Sequence, residues 1–203
     1  MITIFGAPGA GKTIQGRLLA SKYGWEWISY RDLLLKFGDR DIIYALNHGM
    51  FIDDDKAITL MRRVFDDINR DVETRPFKRL RVNHQVILDG FPSDYRQVKW
   101  MINTGDIKKL DGAIILRVPR GELWRRLVER KRIDDTRAII ERRQDEYDRN
   151  ITGMIRTLTM HGVEVREVDG GNSPEDVLER IEYVLGDWNL IPKKQYGKIK
   201  KAS

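Results

Sequence analysis

Residues 6–13 read Gly6-Ala7-Pro8-Gly9-Ala10-Gly11-Lys12-Thr13, with glycines and a lysine–hydroxyl pair at the spacing of a Walker A loop. These residue types suit phosphate binding. Glycines let a backbone wrap closely and turn its N–H groups inward, at the positive end of whatever helix follows. Lys12 then has the reach for the β- and γ-phosphates of ATP, and the Thr13 hydroxyl is a candidate ligand of Mg²⁺. The nucleotide-binding stretch is taken as Gly6 to Ile14.

A second candidate is Val86-Ile87-Leu88-Asp89, an apolar run ending in a carboxylate. In a parallel sheet such an end lies at the carboxyl edge, where ligands bind, so Asp89 is expected beside the loop and sharing Mg²⁺ with Thr13. The third is a concentration of charge: Arg125, Arg126, Arg130, Lys131 and Arg132, then Asp134-Asp135, then Arg142-Arg143. Phosphoryl transfer needs cations around the migrating group, because charge spreads over its oxygens in the transition state. A solvated helix face is the competing reading of such a run. His48, His84 and His161 are far apart and lack ligand spacing, which leaves a zinc site or a Ser/His/Asp triad without support.

Positioning these groups takes strands that end at one edge and helices that begin there. Short apolar runs predict strands at 1–5, 25–29, 85–89, 113–118 and 163–168. Helical periodicity predicts helices at 12–23, 93–103, 121–131, 136–160 and 173–188, the last opened by Ser173-Pro174-Glu175. Alternation of this kind gives an α/β fold with a parallel sheet. Residues 32–69 break the alternation, reading as consecutive helices with a break near Asn47-His48-Gly49, which suggests a helical insert.

The chain has 203 residues, suited to one domain with small inserts. No apolar stretch approaches the ~18 residues of a spanning helix, and no cysteine is present for a disulfide or thiolate site. A cytoplasmic protein is the expectation. Five of the 13 residues from Ile191 to Ser203 are lysines, and the net charge is +6. A solvated tail is the favoured reading of that run, a nucleic-acid arm the less favoured one.

Taken together, the residues resemble the adenylate kinase family, with its short-lid and UMP/CMP kinase branches, over positions 1 to about 186. The resemblance rests on the loop with Gln15 after it, Ser29-Tyr30-Arg31-Asp32-Leu33-Leu34, Gly49 through Asp53, Asp89-Gly90-Phe91-Pro92, Gln97, and Arg132-Ile133-Asp134-Asp135 with Arg143 beyond. Asp-Gly-Phe-Pro after a buried strand is more specific than the Walker A loop. What the resemblance implies is a P-loop NTPase fold with five parallel strands and helices on both faces. It also implies a helical monophosphate-binding insert at 30–68, a minimal lid at 130–132, and a monomer. By the same analogy Arg126 stacks on the donor adenine, Arg130, Arg132 and Arg143 hold phosphates, Ile52 and Gln97 contact the acceptor base, and Gly90 lies against the acceptor. Lys12, Asp89, Arg132 and Arg143 carry the transfer.

Two positions depart from the family, which carries arginines where Leu35 and Ser93 stand, both directed at the acceptor phosphate. Arg96, about one helical turn beyond Ser93, and one of Arg31 or Lys36 are expected to turn inward instead. The function expected is an ATP-dependent nucleoside or deoxynucleoside monophosphate kinase. The alternatives are a kinase of another phosphate acceptor and a nucleotide-binding regulatory or RNA-associated protein.

Overall fold

The computed structural model describes residues 1–48, 50, 52, 54–69, 85–130, 132 and 135–193. Five strands, β1 (Ile2–Gly6), β2 (Glu26–Ser29), β3 (Val86–Asp89), β4 (Gly112–Arg117) and β5 (Val165–Asp169), form one sheet in the order β2-β3-β1-β4-β5. Every pairing is parallel. The helices are α1 (Lys12–Tyr23), α2 (Tyr30–Phe37), α3 (Arg40–Asn47), α4 (Asp54–Asn69), α5 (Tyr95–Thr104), α6 (Arg120–Arg130), α7 (Arg137–Met160) and α8 (Pro174–Asp187). A 3₁₀ turn at Asp106–Lys109 follows α5.

Side chains alternate across a strand, so each strand feeds two cores. Ile2 and Ile4 of β1, Ile87 of β3 and Ile114 and Leu116 of β4 pack on one face with Leu19, Leu123, Val177 and Ile181. Phe5, Leu88, Ala113 and Ile115 face the other way, onto Leu34, Leu46, Met61, Phe65, Val98 and Met154. Helices α1, α6 and α8 therefore cover one face, and α2 to α5 with α7 the other. This is the doubly covered parallel sheet that buries strands on both sides.

Helix starts follow local capping chemistry. Ser29, Asp39, Asp94, Thr136 and Ser173 each accept a hydrogen bond from a backbone N–H one turn on. Helices α2, α3 and α4 follow one another after β2 with no strand between them among the described residues, and α3 ends at Asn47, beside the break read near Asn47-His48-Gly49. The Ser29 cap starts the first of them at Tyr30. Lys131, between Arg130 and Arg132, and the lysine-rich residues 194–203 lie outside the described residues, as do Gly49, Phe51 and Asp53. Among the described residues no helix is long and apolar enough to cross a membrane.

Candidate active site

Strand β1 ends at Gly6 and α1 begins at Lys12, so the glycine-rich loop sits at the carboxyl edge of a central strand with a helix N-terminus behind it. Gly9 and Gly11 hold φ values of +89° and +97°, a region that side-chain-bearing residues rarely enter. A Cβ at Gly9 would also meet Leu127 at 3.0 Å, so the loop needs glycine there for space as well. The Lys12 ammonium curls over the loop, donating to the carbonyls of Gly6 at 2.7 Å and Ala7 at 3.2 Å. Its burial pulls its pKa below the ordinary lysine value. Asp89 pushes the other way, while Arg130 adds to the lowering. Phosphate oxygens arriving above such a group meet a cation short of counter-charge.

Sheet register pairs Ile4 of β1 with Asp89 of β3, which puts the carboxylate beside the loop. The Thr13 hydroxyl donates to Asp89 Oδ2 at 2.7 Å. Asp89 is only 5% exposed, and burial raises its pKa above the ordinary aspartate range against the opposing pull of Lys12 and Thr13. Two hard oxygens at the mouth of a phosphate loop match what Mg²⁺ takes from a protein, since it keeps waters and substrate phosphates for its other positions. Gly90 follows with φ +80°, and the Lys12 stem would pass 3.9 Å from a Cβ placed there. Behind it, buried Thr3 donates to the Phe91 carbonyl at 2.7 Å and ties β1 to this turn.

Beyond β4, the cations of α6 line one end of the cavity. Arg126 donates to Glu122 at 2.7 Å and to the Gly170 carbonyl at 2.9 Å, which lays its guanidinium beside the turn after β5. Arg125 pairs with Glu122 and Glu129 and is the solvated member of the cluster. Arg130 makes a two-pronged bond to Asp135, 2.8 Å on each arm, and Arg143 of α7 comes within 3.9 Å of the same carboxylate. Asp135 is thus the residue that holds two of the expected phosphate-binding arginines. Its N–H also donates to the Arg132 carbonyl at 3.0 Å. The run Asp134-Asp135 was visible in the sequence, but which arginines it would hold was not.

These groups line one cavity of about 1080 Å³. That exceeds the ~300–1,000 Å³ usual for one small ligand. Lys12, Thr13, Ile14, Asp89, Arg126, Arg130, Arg132 and Arg143 all face it, as do Arg31, Ile52, Gly90 and Gln97 at the insert end. Of the loop, only Ala7 turns away, into the core beneath the sheet edge.

Of the cations expected to compensate for Leu35 and Ser93, Arg31 lines the cavity. Lys36 and Arg96 are not among the lining residues. The Lys36 ammonium lies 5.0 Å from the centre of the exposed Phe37 ring. On α5 the inward positions are Gln97, Val98, Trp100 and Met101, which leaves Arg96 on the exposed side of the helix. Gln97 does line the cavity, yet its amide is engaged within the protein. Its Oε1 accepts from the Ser93 backbone N–H at 2.7 Å and the Ser93 hydroxyl at 3.1 Å, and its Nε2 donates to Asp94 at 3.1 Å and Tyr30 at 3.3 Å.

A family model described as an AAA domain matches residues 2–148. The adenylate kinase of Leifsonia xyli is 31% identical over 196 residues, spanning 93% of this chain and 94% of that protein. The chain belongs to the adenylate kinase family. The adenylate kinase of Thermus thermophilus is 28% identical over 200 residues, 91% of this chain and 96% of its own length. That of Clavibacter michiganensis is 28% identical over 204 residues, covering 97% and 98%. Similarity along the whole length means that the adenylate kinase framework, a phosphotransferase framework, extends over both the α6 end of the cavity and the helical insert.

Proposed function

We propose that this protein transfers the γ-phosphoryl group of ATP to a nucleoside or deoxynucleoside monophosphate, giving ADP and a nucleoside diphosphate. The observation that carries the reading is a single cavity with the Lys12 loop and the Thr13–Asp89 pair in its middle, Arg126 and Gly170 at one end, and Tyr30, Ile52 and Gln97 at the other. Two nucleotides fit such a cavity with their phosphates meeting over Lys12.

In that arrangement Gly6 to Ile14 wrap the donor phosphates, Arg126 covers the donor base, and Arg130, Arg132 and Arg143 surround the migrating group. An oxygen of the acceptor phosphate attacks the γ-phosphorus. The bond to the β,γ-bridging oxygen breaks, and that oxygen leaves with the electron pair as part of ADP. Lys12 and the arginines stabilise the charge that spreads over the equatorial oxygens, so the protein acts by positioning and by fixed charge. Thr13 and Asp89 would hold Mg²⁺, which when bound neutralises the β- and γ-oxygens. The reading carries with it a cytoplasmic monomer.

A second reading, another phosphate acceptor on the same framework, draws on the insert end, where Gln97 is committed to Ser93, Asp94 and Tyr30 and so is not poised to read a base. A coupled assay of ADP release against a panel of ribo- and deoxyribonucleoside monophosphates separates the two. Turnover with at least one monophosphate supports the first. ADP release with none of them, in protein that binds ATP, overturns it.

A further inference from the structure

In-line displacement puts the attacking oxygen on the side of the γ-phosphorus opposite the ADP leaving group. With the donor lying toward β4 and α6, the acceptor phosphate must arrive from the β3–β2 side of the loop. Among the described residues, Arg17 and Arg31 are cavity cations on that side, and neither reading of Leu35 and Ser93 from sequence pointed to the first of them.

Arg17 stands four residues after Thr13 on α1, so the two share a helix face, with Thr13 bonded to Asp89. The Arg17 guanidinium lies 4.7 Å from the centre of the Trp27 ring. Trp27 sits on β2 two residues before Ser29, and Ser29 pairs in register with Asp89. Gly16 makes this shelf possible, because a Cβ there would fall 2.6 Å from Trp27 Cδ1 and Nε1, so only glycine lets α1 lie on the indole. Arg31 comes from the other direction, in the first turn of α2, two residues after Ser29. The two arginines therefore approach one strand end from the two helices that flank it.

Arg17 is held differently from Arg125, Arg126, Arg130 and Arg143. Arg125, Arg126 and Arg130 carry carboxylate partners, and Arg143 bonds a backbone carbonyl and lies 3.9 Å from Asp135. Among the described residues no carboxylate pairs with Arg17, and a ring face leaves the in-plane N–H groups of a guanidinium directed outward for a planar or tetrahedral oxyanion.

We infer that Arg17, held on Trp27, and Arg31 form the seat of the acceptor's phosphate. The inference rests on the proposed transfer to a monophosphate. It names residues that take over a charge requirement left open by Leu35 and Ser93.

The test is calorimetric titration of the full chain with AMP, CMP, GMP, UMP and dTMP, each against its own nucleoside, alongside ATP. The parent should bind at least one monophosphate about tenfold or more tightly than the nucleoside. Arg17→Gln and Arg31→Gln should each erase most of that preference while ATP affinity stays within about twofold. Arg17→Lys, which keeps the charge and loses the flat stacking group, should fall between. A thermal melt of each variant guards against misfolding, and a melted Arg17→Gln leaves Arg31→Gln and Arg17→Lys to decide. Undiminished preference in both glutamine variants overturns the inference, as does a loss in Arg96→Ala alone. A parent that binds nucleoside and monophosphate equally also overturns it. In each of those cases the kinase reading is judged separately by ADP release.

Discussion

Replacing Asp135 with asparagine keeps the volume of the side chain and removes the one charge that Arg130 and Arg143 share. The carboxylate is 2% exposed, whereas the Arg130 and Arg143 side chains are 33% and 18% exposed. Breaking a fully buried ion pair costs about 3–5 kcal/mol and losing an exposed one about 0.2–1 kcal/mol. With a buried acid and arginines that water partly reaches, the loss should fall between, at about 2 kcal/mol. For a chain of this length each kcal/mol moves the melting temperature by about 2–4 °C, so the midpoint should drop by about 4–8 °C. Differential scanning calorimetry of the nucleotide-free protein measures it. A second run with saturating ATP should recover part of the loss, because phosphates supply the counter-charge that Arg130 has lost. A midpoint within about 1 °C of the parent would refute the reasoning, since it would mean that the two-pronged bond contributes no more than a surface pair.

Lys12→Ala should lower kcat by about two to three orders of magnitude in steady-state assays while leaving the melting temperature near that of the parent. A nearly normal rate would count against transfer at this loop. Burial raises the Asp89 pKa, so the folded protein holds that proton more tightly than the unfolded chain and loses stability as pH rises from the ordinary aspartate value through the raised one. Asp89→Asn lacks that loss, and its melting temperature relative to the parent should therefore be higher at pH 7 than at pH 4, with the Mg²⁺ dependence of transfer weakened. Equal differences at both pH values would remove the buried-charge argument. Gly16→Ala should destabilise by about 1 kcal/mol in urea titration: alanine gains up to about 1 kcal/mol of helix propensity, but crowding Trp27 costs about 1–3 kcal/mol. A more stable variant would show that the indole yields.

The strands and helices were legible because buried parallel strands are short unbroken apolar runs and the helices between them carry their own caps. All five strands fall within two residues of where the apolar runs put them, and Ser173 opens its helix by the side-chain bond that Ser173-Pro174-Glu175 suggested. The Walker A loop and Asp89 were legible for the same reason, since both sit at ends of those strands. What could not be read was the destination of long side chains. Arg96 lies next to Gln97 in sequence, yet adjacent residues on a helix point about 100° apart, and the inward direction went to Gln97. Asp135 and Arg17 meet partners brought close by tertiary folding, Arg143 in one case and Trp27 in the other. Gln97 was placed at the acceptor base by the family resemblance, and its bonds to Ser93, Asp94 and Tyr30 had no signal in the sequence.

The Arg143 guanidinium also donates to the Leu46 carbonyl at 2.7 Å, and its neighbour Arg142 reaches the His48 carbonyl at 3.3 Å. Leu46 is in the last turn of α3, where unpaired carbonyls gather partial negative charge. The carbonyl at this helix end thus gives Arg143 a partly negative acceptor. An entering phosphate that claims Arg143 trades one acceptor for another, and its net gain is the difference between a charged oxygen and a carbonyl. Under the proposed transfer the same trade would release one of the bonds between α7 and the end of α3, so that occupancy of the transfer point and the hold of α7 on the insert would become linked quantities.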